Sequence, residues 1–482
     1  MDLSTFAAAR ECGNRLAVIW EAGSLTYAQL AERVATACAA LVDRGYGPAT
    51  LLAIRASNRW PTLVLILACI ERGIPFVAIH PRWTDREVQV VMQDARPVAL
   101  CGDAEVDSLT AGEHIDGASP FTSSAVDISD AAPLAVLYSS GTTGTPKGAI
   151  LSRAAFVASA QGSADNLGWQ ADDRWLLCLP LCHIGGLSIV TRCLLGRRAM
   201  VLLPKYEASQ VLHMIVRHRV TLLSVVPTML KGLLDAAEAA DAADAEGSDA
   251  LAGLRAVLCG GAATPMSLVE RAVAAGVNVL CTYGLTEACS QVTVQKWLPK
   301  PLARRGCGTP LSGLSLSIQS EQGAPLPPGE VGRIVVRGSS LLTGYVGQEP
   351  LLQRWFDTGD LGELDEEGTL YVHARRVDLI VTGGENVYPL EVEQELLRLP
   401  SVRAAVVFGI PDPQYGAAVA AALIVSPDFQ RGELAELLSS SLASFKRPRW
   451  WARVDSFPEL PSGKLDRRRV ITELTPLLAK EL

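Results

Sequence analysis

The segment Leu134-Ala-Val-Leu137-Tyr138-Ser139-Ser140-Gly141-Thr142-Thr143-Gly144-Thr-Pro146-Lys147-Gly148 decides how the rest of the chain is read. It opens on a short apolar run, the pattern of a buried strand. Gly141, Gly144 and Gly148 then let the backbone turn tightly and bring N–H groups up to an anion. Ser139, Ser140, Thr142 and Thr143 add hydroxyl donors, and Lys147 adds a positive charge. The set reads as a phosphate cradle between that strand and a helix expected to begin near Ser152. It is not a Walker loop, because Pro146 precedes the lysine and glycine, not Ser or Thr, follows it.

Strand and helix patterns alternate on both sides of this segment. Helical spacing predicts helices over Tyr27–Asp43, Trp60–Arg72 and Asp85–Gln93. Strands are expected at Leu51–Arg55, Pro75–Ile79, Pro97–Cys101, Trp175–Leu179, Met200–Leu203, Thr221–Val226, Arg255–Cys259 and Val277–Cys281. That rhythm predicts parallel sheets covered by helices, with ligands at the carboxyl ends of the strands. Ala236–Ala250, acidic and alanine-rich, reads as a solvated helix or loop. After Gly306 short strands separated by Gly and Pro turns predict a small β-rich subdomain over about 306–374. From about Asp378 an α+β pattern begins, with a helix at Leu390–Leu399 and strands at Ala404–Phe408 and Ala418–Ile424. The fold class is therefore α/β, with an N-terminal domain over 1–376 and a C-terminal domain over 377–482.

Composition narrows the function. With 482 residues, 49% hydrophobic and 20% charged, the chain can bury a large core. A net charge of −8 without a basic stripe argues against nucleic acid or an anionic membrane as partner. Eleven scattered cysteines suit a reducing compartment and buried thiols. Cys178, Cys182, His183 and Cys193 lack paired zinc spacing and read as core. No signal-like or bilayer-length apolar run is seen, so a cytoplasmic protein without membrane insertion is expected. The oligomeric state, a homo-oligomer included, stays open.

Four further segments carry chemistry-bearing residues. Thr282-Tyr283-Gly284-Leu285-Thr286-Glu287 follows the Val277–Cys281 strand. A hydroxyl beside a carboxylate suits a phosphate and its Mg²⁺, but the start of a capped helix would look the same. In Trp355-Phe-Asp-Thr358-Gly359-Asp360, an aspartate after a tight turn can accept two hydrogen bonds from a ribose. Arg375-Arg-Val377-Asp378-Leu-Ile-Val-Thr-Gly383-Gly384 and Leu460-Pro-Ser-Gly463-Lys464 complete the set. Taken alone, Lys464 reads as a solvated loop lysine.

As an ordered set these five segments resemble the core motifs of the adenylate-forming superfamily of acyl-CoA synthetases, peptide-synthetase adenylation domains and luciferases. The resemblance spans nearly the whole chain, from Leu25 to Lys464. It implies activation of a carboxylic acid by ATP and Mg²⁺ to an acyl adenylate, then transfer to a thiol, with coenzyme A as cosubstrate. It implies that Ser139–Lys147 holds the β- and γ-phosphates, Thr286 a phosphate oxygen and Glu287 the metal. Adenine would lie between Gly260-Gly261-Ala262 and Tyr283, and Asp360 and Arg375 would hold the ribose. Lys464 would reach the α-phosphate from a mobile C-terminal domain. A hinge at Val377 would then swing the Gly383-Gly384 loop into place. Many relatives carry Asp or Lys at that hinge and Gly at the position of Ala374, so the departures bear on hinge kinetics.

The acid is read from two segments, Pro180-Leu-Cys-His183-Ile-Gly-Gly-Leu-Ser188-Ile-Val-Thr-Arg192 and Gly284–Gln291. They resemble their counterparts in the o-succinylbenzoate–CoA ligases of menaquinone biosynthesis. That resemblance implies that Arg192 recognises the substrate, with His183 and Gly284 beside it. An arginine within an apolar helix asks for a carboxylate partner; the alternative is a structural acid at the helix edge. His183 reads as either a gate or core filling. Other readings are an aryl or medium-chain acid–CoA ligase and an enzyme loading a carrier protein.

Overall fold

The computed structural model describes residues 2–111, 128–139, 147–242, 250–351, 355–375, 378–382, 385–413, 415–460 and 465–480. The predicted helices over Tyr27–Asp43 and Trp60–Arg72 form with those bounds. The first is fixed at its start by Thr26, whose side chain accepts from the Gln29 N–H while the Gln29 side chain answers the Thr26 N–H. The second starts with Pro61 in its first turn and stops at Gly73, whose φ of 64° a side chain would resist. Its residues Leu63–Ile70 are buried all round, in a core shared with strands of both large sheets. Each such Leu or Ile contributes about 1.5–3 kcal/mol by leaving water.

Among the described residues the largest sheet has nine strands. Its centre is parallel, with Val279–Leu285, Ala256–Cys259, Leu222–Val225, Arg174–Leu177, Ala199–Leu202 and Leu16–Trp20 side by side. A six-stranded sheet holds Ala99–Cys101, Leu52–Arg55, Phe76–Ile79 and Pro133–Ser139 in parallel. The parallel expectation fails at the edges. Lys147–Ser152, Gly23–Thr26 and Ser290–Val294 each return antiparallel through short connections. A hairpin needs no crossover helix, so the chain can turn back directly beside its own strand.

Two local expectations are corrected here. The phosphate-cradle segment joins two antiparallel strands, with Ser139 opposite Lys147, and the helix Arg153–Leu167 starts only after the second. The helix itself starts where expected, capped by Ser152. The strand expected to end at Cys281 runs on through Leu285, so Thr282-Tyr283-Gly284-Leu285 is strand, and only Thr286–Ala288 turns helically.

Leu314–Gln319, Gly332–Gly338, Phe356–Leu364 and Leu370–Arg375 form a four-stranded antiparallel sheet. Beyond it lies a smaller α+β unit. Its sheet pairs Val402–Asp412 with Gly416–Val425, adds Trp450–Arg453 in parallel and packs the helix Pro389–Leu396. There Glu393, buried, accepts the Val407 N–H and the Arg467 guanidinium at 2.6 Å. The acidic segment from Ala236 is helical to Ala242. Among the described residues no helix is long and apolar enough to cross a membrane.

Candidate active site

Several of the singled-out residues lie at carboxyl ends of the parallel strands, as open α/β sheets favour. Gly260 directly follows Ala256–Cys259. A Cβ there would come within 2.7 Å of Thr282 Cγ2 and 2.8 Å of the Thr282 carbonyl, so backbone passes where a side chain cannot. Gly261, with φ of 79°, and Ala262 continue the turn.

Tyr283, 9% exposed, packs with Ala288, Val292 and Ile318 and donates its hydroxyl to Asp360 Oδ2 at 2.6 Å. Arg375 Nε lies 3.4 Å from Asp360 Oδ1. Asp360 sits inside the Phe356–Leu364 strand, directly after Gly359 with φ of 76°, so the expected tight turn is a local kink in a strand. Burial raises the Asp360 carboxyl above its usual range, opposed by Arg375 and the Tyr283 hydroxyl. Burial likewise raises the Tyr283 phenol, with Asp360 adding to it. Thus three of the six residues assigned to adenine and ribose, Tyr283, Asp360 and Arg375, come together at the Asp360 carboxylate.

Glu287 is half-buried in the Thr286–Ala288 turn. Its Oε1 accepts the Tyr345 hydroxyl at 3.1 Å. Lys147 Nζ lies 5.6 Å from the centre of the same tyrosine ring. Ser140–Gly144, Gly383, Gly384, Val377 and Lys464 lie outside the described residues, and Ser139 is described only in its backbone.

The turn that carries Glu287 folds tightly over Gly284, where a Cβ would sit 2.0 Å from the Ser290 carbonyl. Cys289 has φ of 52° and Ser290 φ of 101°. Such backbone in a non-glycine residue costs about 1–3 kcal/mol and persists where surrounding contacts enforce it. Ser159 Oγ donates to the Cys289 carbonyl at 2.6 Å and holds the turn.

That turn presents Ser290 Oγ to Arg192 Nη2 at 3.2 Å. Arg192 lies in the apolar helix Ile184–Gly196 and is 2% exposed. Its guanidinium lies 5.4 Å from the Trp175 ring centre, and its Nε is buried with no hydrogen-bond partner. No carboxylate lies within ion-pair distance among the described residues. Burial lowers its pKa to about 10, which leaves it charged at neutral pH. Gln291, next along the chain, is also buried. Its Nε2 donates to Thr282 Oγ1 and its Oε1 has no partner.

His183 caps the same helix, its ring 5.6 Å from that of His80. His80, Cys182 and His183 bring ligand atoms within 4.8 Å of one another, without Cys178 or Cys193. His80 Nδ1 accepts the Arg82 N–H, which puts the proton of a neutral ring on Nε2. Burial raises the Cys182 thiol to about 12. The group offers three nitrogen and sulfur donors, one fewer than a closed structural zinc site uses. Asn58 braces the preceding turn, its Oδ1 accepting from Leu181 N and its Nδ2 donating to the Leu179 carbonyl.

Sequence reasoning assigned no role to Tyr345, Ser290 or Asn58. Tyr345 stands beside Gly344 in a two-residue strand, too short for any periodicity to show. Ser290 lies in the Gly284–Gln291 segment read for the acid, but nothing in that segment singled it out.

Comparisons with known proteins identify the family and the fold. A family model described as AMP-binding enzyme matches residues 5–346, and one for the AMP-binding enzyme C-terminal domain matches 391–464. The chain is 35% identical over 472 residues to a 2-succinylbenzoate–CoA ligase of Bacillus mycoides, covering 95% of each. The o-succinylbenzoate CoA synthetase (MenE) of Bacillus subtilis, solved with the acyl-adenylate intermediate OSB-AMP, superposes with a TM-score of 0.84 at 31% identity and 98% of each chain. The same enzyme with ATP and magnesium ion gives 0.83 at 32% identity, over 96% of this chain and 98% of that one.

Proposed function

The chain belongs to the AMP-binding enzyme family, and from that premise we propose that it is an ATP-dependent CoA ligase whose acid is o-succinylbenzoate. In the first half-reaction a carboxylate oxygen attacks the α-phosphorus of ATP, giving the acyl adenylate and pyrophosphate. In the second the CoA thiol attacks the acyl carbon and AMP leaves. The protein's share is positioning and electrostatic stabilisation, with no covalent enzyme intermediate.

Arg192 carries the substrate assignment. A buried guanidinium without a counter-charge is costly, and one set among apolar side chains marks a place where a ligand brings the anion. o-Succinylbenzoate has two carboxylates, one to activate and one to pair with Arg192 through two hydrogen bonds. Ser290 supplies a hydroxyl beside it, and Gly284 gives the backbone room for the turn that carries Ser290.

On this reading Asp360 and Arg375 meet the ribose and Tyr283 with Gly260–Ala262 flank the base. Ser139–Lys147 hold the β- and γ-phosphates, and Lys464 reaches the α-phosphate. The hydroxyl and carboxylate of Thr286 and Glu287 form an all-oxygen donor set that fits a hard cation. When bound, Mg²⁺ neutralises phosphate charge. The domains divide at 376/377, with Gly383-Gly384 moving in for the thiol step. The buried free thiols fit a cytoplasmic setting.

Pyrophosphate release with o-succinylbenzoate, benzoate and octanoate, with free CoA and with a carrier protein as acceptors, tests the assignment. The diacid with free CoA should give the highest kcat/KM. Preference for a monocarboxylate would overturn the substrate while keeping the ligase, and preference for a carrier protein would overturn the acceptor.

A further inference from the structure

The segment Leu342–Val346 touches both the phosphate hairpin and the acidic turn. Gly344 and Tyr345 pair with Ile150 and Ala149 of the strand that begins at Lys147. The Val346 N–H donates to the Gly148 carbonyl and the Thr343 N–H to the Ile150 carbonyl, both at 2.9 Å. On its other side the Leu342 N–H donates to the Glu287 carbonyl at 2.7 Å. One short stretch of backbone therefore ties two elements about 140 residues apart in sequence.

One side chain repeats the connection. The Tyr345 hydroxyl donates to Glu287 Oε1 at 3.1 Å, and its ring faces Lys147 Nζ at 5.6 Å. Accepting the phenol at Oε1 restricts rotation of the carboxylate, leaving Oε2 for other partners. The aromatic ring meanwhile offers its negative face to a long, flexible ammonium chain.

We propose that Tyr345 is a positioning residue that holds the Glu287 carboxylate and the Lys147 ammonium in one register for adenylation. This rests on the reading of Glu287 and Lys147 as groups that meet the cation and the phosphates of ATP. The two functions of the side chain separate chemically. Tyr345→Phe removes the hydroxyl and keeps the ring, whereas Tyr345→Leu removes both.

The test titrates a non-hydrolysable ATP analogue into wild type and both variants by calorimetry over a Mg²⁺ series, with ATP–pyrophosphate exchange and thermal melting alongside. Tyr345→Phe should raise the Mg²⁺ concentration for half-maximal analogue affinity and for half-maximal exchange by about tenfold, the scale of a hydrogen bond to a charged group. At saturating Mg²⁺ its analogue affinity should stay within about twofold of wild type. Tyr345→Leu should also lose about three- to tenfold in affinity at saturating Mg²⁺, because the ammonium loses its aromatic face. A Tyr345→Phe protein that melts like wild type and shows an unchanged Mg²⁺ series overturns the proposal. So does an equal loss in both variants that follows their melting temperatures, which a purely structural tyrosine would give. Wild type that exchanges pyrophosphate with none of the acids would instead overturn the underlying adenylation reading.

Discussion

The ends of the site proposed for the nucleotide and for the acid are built on opposite plans. At the first, Asp360 is already met by Tyr283 and Arg375, and Glu287 by Tyr345. At the second, Arg192 holds a serine hydroxyl and a tryptophan face, with its Nε unpaired. Polar groups that satisfy each other keep their geometry before any ligand arrives. A buried charge left short of partners is tolerable only where a ligand supplies them. This contrast fits the proposed function, in which the shared nucleotide takes the paired end and the particular acid the unpaired one.

The largest expected effect concerns Lys464, which the proposed function assigns to the α-phosphate. Lys464→Ala should cut acyl-adenylate formation at least about a hundredfold, the usual cost of losing one transition-state stabiliser. Transfer from a supplied acyl adenylate to CoA should survive. Equal loss of both half-reactions would contradict a lysine that serves only the first.

At the paired end, Asp360→Asn should raise KM for ATP about tenfold or more while leaving KM for the acid near wild type, measured by pyrophosphate exchange. The same variant carries a stability signature. Burial sets the Asp360 carboxyl higher in the folded chain than in the unfolded one. Its favourable share is therefore complete below the unfolded value and lost as pH rises through the folded value. Asparagine does not titrate, so the variant's melting temperature should gain on wild type as pH rises above the ordinary carboxylate value of about 4. A gain in the opposite direction would mean that Arg375 and Tyr283 outweigh desolvation.

The smallest effect sharpens the unpaired end. Ser290→Ala should lower kcat/KM for o-succinylbenzoate about tenfold, the scale of a hydrogen bond to a charged group, and leave KM for ATP unchanged. A matching rise in KM for ATP would show that the strained turn serves the nucleotide instead.

Much of this molecule is legible in its sequence, for identifiable reasons. Tyr27–Asp43 and Trp60–Arg72 are long, periodic and stopped by glycines, and they form where the spacing places them. The hairpin after Ser139 was not legible, because an apolar run cannot announce that the next strand turns back alongside it. Nor was the continuation of Val279–Leu285 through a motif rich in turn-forming residues, which pairing with Ser290–Val294 enforces. In the site, Arg192 stood out because charge inside an apolar helix breaks a local rule. Tyr345 broke none, and its reach to Glu287 is purely tertiary.

One measurement bears most directly on the assignment of the two ends. It is kcat/KM for o-succinylbenzoate and for benzoate on wild type and Arg192→Ala, at one pH near neutrality, where burial still leaves the guanidinium charged. Truncating one partner of a desolvated charge pair costs about 2–5 kcal/mol. The diacid should therefore fall by about thirtyfold or more, with benzoate unchanged or improved. An equal fall for both acids would make Arg192 a structural residue and contradict the account.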